Sequence, residues 1–179
     1  ADHPASIRRF LQDRLVAKTG IKQFYFLEVN LNQSRATAEI GLKLRSSPVD
    51  IAFLEIGENG QLGMNIPPAD FETEEPYLAV ELDFNYRLQQ VNDGWFVEMG
   101  QSPMQAMANS VRQIMKAKEI LAIVPGRRRA LAVRVCIEHG ISPTAPASIL
   151  STHPNTAMYL DRDSAAQLAA EEKPQALKP

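Results

Sequence analysis

The stretch Val49-Asp-Ile-Ala-Phe-Leu-Glu-Ile-Gly-Glu-Asn-Gly-Gln-Leu-Gly-Met-Asn-Ile66 carries the strongest structural signal in the chain. An apolar run from Ile51 to Ile56 stops at Gly57, and the turn cluster Gly57-Glu58-Asn59-Gly60 follows. A short run of this kind, ended by turn residues, reads as a buried strand of an α/β sheet. Such sheets bind ligands just beyond the carboxyl ends of their strands. The turn that follows Ile56 is therefore a candidate ligand loop. It is equally readable as a plain tight turn, because Asn-Gly is a common turn pair.

Working outward, strands and helices alternate. Pro4 suits the first turn of a helix on which Ile7, Phe10, Leu11 and Leu15 recur at helical spacing, with Gly20 as its stop. Gln23 to Val29 is aromatic and β-branched and reads as a strand. A helix capped by Asn32 or Ser34 runs to about Leu44. The quoted segment supplies a strand over Val49 to Ile56, and Asn65 to Pro68 must be loop, since prolines donate nothing to a ladder.

Beyond it, Tyr77 to Leu82 is a strand and Asn85 to Val91 a short helix ended by Asn92-Asp93-Gly94. Gln105 to Ser110 is a strand and Val111 to Ala117 a helical turn. Glu119 to Val124 is a second buried strand, stopped by Pro125-Gly126, and Arg127 to Glu138 is a helix closed by His139-Gly140. Ala147 to Ser151 forms a turn of helix, Thr156 to Leu160 a strand, and Asp161 opens a last helix. From Glu171 the composition shifts to Glu, Lys, Pro and Gln, the signature of a loose tail. The strands Ile51–Ile56 and Ile120–Val124 lack polar alternation, so both faces of a mostly parallel sheet should be covered by helices. The expected organisation is one α/β domain over residues 1–164, with residues 165–179 forming the end of the last helix and the tail.

Bulk properties exclude several classes. The 179 residues suit one domain, and 45% hydrophobic with 22% charged residues is ordinary for a globular protein. A net charge of −2 gives no electrostatic case for nucleic acid or an anionic membrane as partner. No run is long and apolar enough for a transmembrane helix and no signal-peptide pattern opens the chain, so a cytoplasmic location is the default. The single cysteine, Cys136, sits in an apolar run and reads as an inert buried thiol. His3, His139 and His153 lack metal-ligand spacing, so no metal is expected, and His153 is read as a structural hydrogen-bonding residue.

A second candidate site is Pro125-Gly126-Arg127-Arg128-Arg129, where three arginines open a helix directly after a buried strand. Cations at a helix N-terminus are disfavoured by about 0.3–1 kcal/mol each. Three of them call for an anion nearby. That anion is either a bound phosphate, which helix N-termini suit, or a neighbouring carboxylate in a salt bridge.

The quoted loop resembles the signature G-x-G-x-D-G-H-I-A-F-N-E-P of the glucosamine-6-phosphate deaminase/isomerase family, within the superfamily that includes 6-phosphogluconolactonase-like proteins. Other segments resemble the same family in the same order. Asp2-His3-Pro4-Ala5-Ser6 is similar to its D/E-H-P-x-S, and Leu88 to Phe96 to the R-Q-Q-x-G-x-G-W-F of one bacterial branch. Ile123 to Ala132 is similar to L-V-x-G-x-x-K-A-x-A, and Ser148 to Pro154 to S-x-L-Q-x-H-P. The resemblance implies a three-layer, doubly wound, mostly parallel α/β fold without its first strands. It implies an aldose–ketose isomerase and deaminase acting on an amino-sugar phosphate, with no metal and no organic cofactor.

The departures define the expectation for function. Where the family carries the Asp, His and Glu of its ring-opening relay, this chain has Asn59, Gln61 and Ile66. Side-chain amides do not titrate near neutral pH, so no catalytic residue is intact. The family's phosphate-gripping Lys is matched by Arg129, whose planar fork also suits phosphate. The resemblance thus gives Gly57, Asn59, Gly60, Gln61 and Arg129 as substrate-binding residues of a catalytically impaired sugar-phosphate binder. The alternative is a non-catalytic sugar-phosphate-sensing or protein-interaction module on the same fold. The family's first third and its D-E-Y region have no counterpart here. Either a homo-oligomer or an N-terminal segment outside this chain is expected to cover the surface those strands would cover.

Overall fold

The computed structural model describes residues 3–25 and 33–169. Its centre is a three-stranded parallel sheet in the order β1 (Ile51–Leu54), β4 (Glu119–Val124), β5 (Thr156–Leu160). Register runs from Ile51 opposite Glu119 to Leu54 opposite Ala122, and from Ile120 opposite Thr156 to Val124 opposite Leu160. Two strands between these, β2 (Tyr77–Glu81) and β3 (Gln105–Asn109), form a separate antiparallel pair. The mixed architecture is that of an α/β fold built on a parallel sheet.

Helices precede and connect the strands. α1 (Ile7–Leu11) is capped by the Ser6 side chain, passes into a π-helical segment at Gln12–Val16, and leads to α2 (Ala17–Thr19), which stops at Gly20. α3 (Gln33–Ser46) precedes β1. Between β2 and β3 lies α4 (Phe84–Asn92), whose N-terminus is fixed by Asp83 Oδ1 accepting from the amide of Tyr86 at 2.7 Å. α5 (Val111–Ile114) follows β3 and is capped by Ser110. A 3₁₀ turn at Arg127–Arg129 leads from β4 into α6 (Ala130–Glu138), and a second at Pro146–Thr152 leads into β5.

The core lies on one face of the parallel sheet. Ile120, Ala122 and Val124 of β4 pack with Val133 and Cys136 of α6, Ile114 of α5, and Ala147 and Leu150 of the second 3₁₀ turn. Ala52, Leu54, Met158 and Leu160 join from the flanking strands. Ile56 and Leu62, both fully buried, close the sheet's carboxyl end.

Several expectations change. The first strand is shorter than the apolar run, because Ile56 bridges to Leu62 in the returning loop instead of continuing against β4. No helix follows β5 among the described residues. Asp161 Oδ1 takes the amide of Ser164 at 2.7 Å, and a series of turns results, since such local side-chain bonds compete with the helical ladder. Residues 21–25 are not strand, and the rest of the expected strand to Val29 lies outside the described residues.

The largest difference concerns the second face of the sheet. Ile51, Phe53, Ile123 and Tyr159 share that face by register, and they are 46, 69, 52 and 59% exposed. The absence of polar alternation did record two apolar faces. Among the described residues, however, helices cover only one of them. Ile7 and Phe10 of α1, with Leu15 in the π-helical segment, are likewise exposed.

This asymmetry sets a stability test. Ile120→Ala, which opens a cavity in the covered face, should cost about 2–5 kcal/mol in denaturant unfolding. Phe53→Ala should stay within about 0.5 kcal/mol, the usual range for an exposed site. A loss at Phe53 comparable with that at Ile120 would show that something covers this face in solution.

Candidate functional site

The carboxyl ends of β1 and β4 meet around a cleft of about 330 Å³ lined by Glu58, Asn59, Asn85, Tyr86, Leu88, Gln89, Asn92 and Arg128. Three pieces of chain build it. The first is the loop after β1. Gly57 and Gly60 close a tight turn through Gly60 N–H to the Gly57 carbonyl at 3.0 Å, and Gly57 N–H donates to Gln61 O at 3.1 Å. Gly60 sits at φ +80°, where a side chain is strained, and a Cβ there would lie 3.4 Å from the Ala145 backbone. The loop is thus pressed onto the segment before the second 3₁₀ turn, and Ala147 N–H donates to Gly60 O at 2.9 Å.

The second piece is α4, which supplies five of the eight lining residues. Its exposed face is rich in carboxamides. Tyr86 donates toward Met64 Sδ at 3.6 Å, and burial, followed by the nearby charge of Glu55, raises its phenol pKa.

The third piece is the Gly126–Arg129 turn. Gly126 N–H is captured by Asp161 Oδ2 at 2.9 Å. Hydrogen bonds from Ser164, and also from Gly126, hold the Asp161 carboxyl below the usual range.

The arginines lie against the loop, and the anions that offset them are carboxylates of the protein. Arg128 Nε pairs with Glu58 Oε1 at 2.6 Å, and its Nη1 with Asp93 Oδ1 at 3.2 Å. These partners, the Asp93 hydrogen bond first, raise the guanidinium pKa further. Arg129 donates from Nε to Ile56 O and from Nη1 to Pro125 O, both at 3.1 Å, and pairs through Nη2 with Glu55. It therefore staples the ends of β1 and β4 together. Arg127 is exposed and has no hydrogen bond or ion pair among the described residues.

The residues singled out from sequence divide accordingly. Asn59 lines the cleft, its Oδ1 accepting from Gln61 N–H at 3.0 Å. Gln61 is buried and turned into its own loop, donating from Nε2 to Gly63 O at 2.8 Å. Ile66 is buried. Gly57, Gly60 and Arg129 do not line the cleft: the glycines shape the loop, and Arg129 is the staple between the ends of β1 and β4. Sequence reading missed Glu58 and the five wall residues of α4, Asn85, Tyr86, Leu88, Gln89 and Asn92. The short helix was legible, but only the fold places it over the loop.

Other residues are structural. His153 Nε2 lies 2.8 Å from Ala117 O, and its Nδ1 accepts from Asn155 N–H at 3.2 Å. Phe96 stacks on His3 with ring centroids 5.0 Å apart. Burial pushes the Cys136 thiol up from 9.0 to about 11. A folded-state pKa above the unfolded one means that the unfolded chain loses its proton first as pH rises. Stability should therefore fall more steeply between about pH 9 and 11 in wild type than in Cys136→Ser, measured by urea unfolding against pH. In the same vein, Gly60→Ala should lower stability by roughly 1–2 kcal/mol through its positive φ.

No family model matches the chain. It is 31% identical to a glucosamine-6-phosphate deaminase of Oenococcus oeni over 169 residues, 94% of this chain and 70% of that protein. It is 33% identical over 162 residues to one of Bacillus cereus, 89% of this chain and 60% of that protein. It therefore spans 60–70% of the length of these relatives. Among solved structures, a monomeric glucosamine-6-phosphate deaminase of the NagB superfamily superposes with a TM-score of 0.81 at 27% identity, over 92% of this chain and 68% of that one. The 6-phosphogluconolactonase of Trypanosoma brucei shares the fold, with a TM-score of 0.58 at 17% identity over 76% of this chain and 54% of that one. By these similarities over nearly its whole length, the chain belongs to the glucosamine-6-phosphate deaminase family.

Proposed function

We propose that this protein binds a sugar phosphate in the cleft between the Gly57–Gly60 loop and α4 and is impaired in the deaminase chemistry named for its relatives. The observation that carries the reading is the state of the three positions where the resembled family places its proton relay. Asn59 is an amide in the cleft wall, Gln61 is folded back onto Gly63 O, and Ile66 is a buried aliphatic. None of the three can accept and return a proton near neutral pH.

Binding, by contrast, is supported. The cleft holds about 330 Å³, within the size range of small-molecule sites. Its wall carries Asn59, Asn85, Gln89 and Asn92, whose amides match sugar hydroxyls. Arg129 sits at the end of β4 with its Nη2 on Glu55, a side chain 65% exposed. A phosphate brings more negative charge than one carboxylate and makes strong bonds to a guanidinium fork. It can take Nη2 from Glu55, which is free to swing into solvent, while Arg127, without a partner among the described residues, stands two residues away.

Two measurements test the reading. Ammonia release from glucosamine 6-phosphate should be far below the roughly 1–1000 s⁻¹ of ordinary enzymes. Turnover within that range, abolished by Glu58→Gln, would instead make Glu58 a replacement base and overturn the impairment. A thermal-shift series with sugar phosphates should show stabilisation that reaches about 2.7 kcal/mol at a ligand concentration 100 times the dissociation constant. The shift should weaken in Arg129→Ala and in Arg127→Ala. Absence of a shift with every sugar phosphate would remove the binding function.

A further inference from the structure

Two apolar surfaces are left uncovered among the described residues. The first is the open face of the parallel sheet, with Ile51, Phe53, Ile123 and Tyr159. Glu119, opposite Ile51 in the register, lies on the same face, and its carboxylate has no partner among the described residues. The second is the helical run over residues 7–19, in which no residue is buried. Ile7, Phe10 and Leu11 share one of its faces by α-helical spacing. In the π-helical segment each hydrogen bond spans five residues instead of four, which brings Leu15 back onto that face.

Each surface supplies what the other lacks. Parallel sheets are covered by helices on both faces, and a helical run this short is marginal in water unless its apolar side is packed. The exposure of both shows that they do not meet within one chain. Between two copies they can meet reciprocally, and such a two-fold contact closes on itself. The sizes agree. Phe10, Phe53 and Tyr159 are 57, 69 and 59% exposed. At roughly 150–250 Å² per aromatic side chain they offer about 300–450 Å², near half of the ~800 Å² that each partner of a standard interface buries. Ile7, Leu15, Ile51 and Ile123 extend that area. Charge agrees as well. The helical run carries Arg8, Arg9, Arg14 and Lys18 against Asp13 alone, facing a sheet whose charged residue is Glu119. Asp50 and Lys118 at the sheet's edge neutralise each other.

We propose that this chain forms a two-fold dimer in which the helical run over residues 7–19 of each copy docks on the Ile51, Phe53, Ile123 and Tyr159 face of the other. Each sheet thereby gains its second helical layer. The contact is independent of what the cleft binds.

Sedimentation velocity of the full chain, from nanomolar to high micromolar concentration, should show a monomer–dimer equilibrium. Below its dissociation constant the chain is single, and there Phe53→Ala leaves stability unchanged. Phe10→Asp and Phe53→Asp should each weaken the dimer at least about tenfold, with the far-ultraviolet circular dichroism of the monomer retained. Should either lose its helical signal, Phe10→Ala and Phe53→Ala take their place. Mixed in equal amounts, the two variants should recover dimer that neither forms alone, because the intact helix of one meets the intact sheet of the other. A chain that stays monomeric throughout would overturn the proposal, as would a dimer that neither substitution weakens. A dimer lost only in Phe53→Asp, with no recovery on mixing, would overturn the docking of helix on sheet and point to two sheets packed face to face.

Discussion

Everything at the carboxyl edge of the sheet depends on how two consecutive arginines are held. Arg129 reaches the carbonyls of Ile56 and Pro125 and the carboxylate of Glu55, so one guanidinium fixes the ends of β1 and β4 relative to each other. Arg128 spans Glu58 of the loop and Asp93 just past α4. Planar guanidinium groups are suited to such multipoint contacts, where a lysine would act as a single point charge. The cleft exists because these contacts bring the loop, the strand end and the helix to one place.

The same contacts change the electrostatic character of the site. A run of three arginines at a helix start is in principle an anion trap. Here Glu55, Glu58 and Asp93 occupy two of the three, and Asp161 takes the Gly126 amide that a phosphate would otherwise use. What is offered to a ligand is an amide-rich wall that includes the paired Glu58 and Arg128, with Arg127, which has no partner among the described residues, next to Arg128 in the chain. On the proposed reading, exchange of the solvent-exposed Glu55 carboxylate for a phosphate turns this resting arrangement into a binding one.

Beneath the site, the sheet is supported from one side. The buried face of β4 alternates strictly with a half-exposed one, and the covered side holds the core cluster from Ile56 to Leu150. On the other side Ile51, Phe53, Ile123 and Tyr159 form an apolar strip. Exposed contiguous apolar surface of this kind marks interaction surfaces in soluble proteins. It coincides with a chain that spans 60–70% of the length of its relatives.

Local chemistry was enough to fix much of this protein from its residues alone. The turn residues after Ile56 marked the loop that follows the first buried strand, although β1 itself stops at Leu54, Pro125-Gly126 set the end of β4, and short helices were legible over Asn85 to Val91 and from Val111. The loss of titratable groups at Asn59, Gln61 and Ile66 was equally readable, since protonation chemistry belongs to the residue type. Only the tertiary structure decided which partners those residues meet. It turned Gln61 inward, made carboxylates the counter-ions of Arg128 and Arg129, and set α4 over the loop as the main wall of the cleft. Each of those outcomes joins residues about 30 or more positions apart or depends on the folded loop, and a linear pattern carries no information on which charges and amides will be brought within hydrogen-bonding distance.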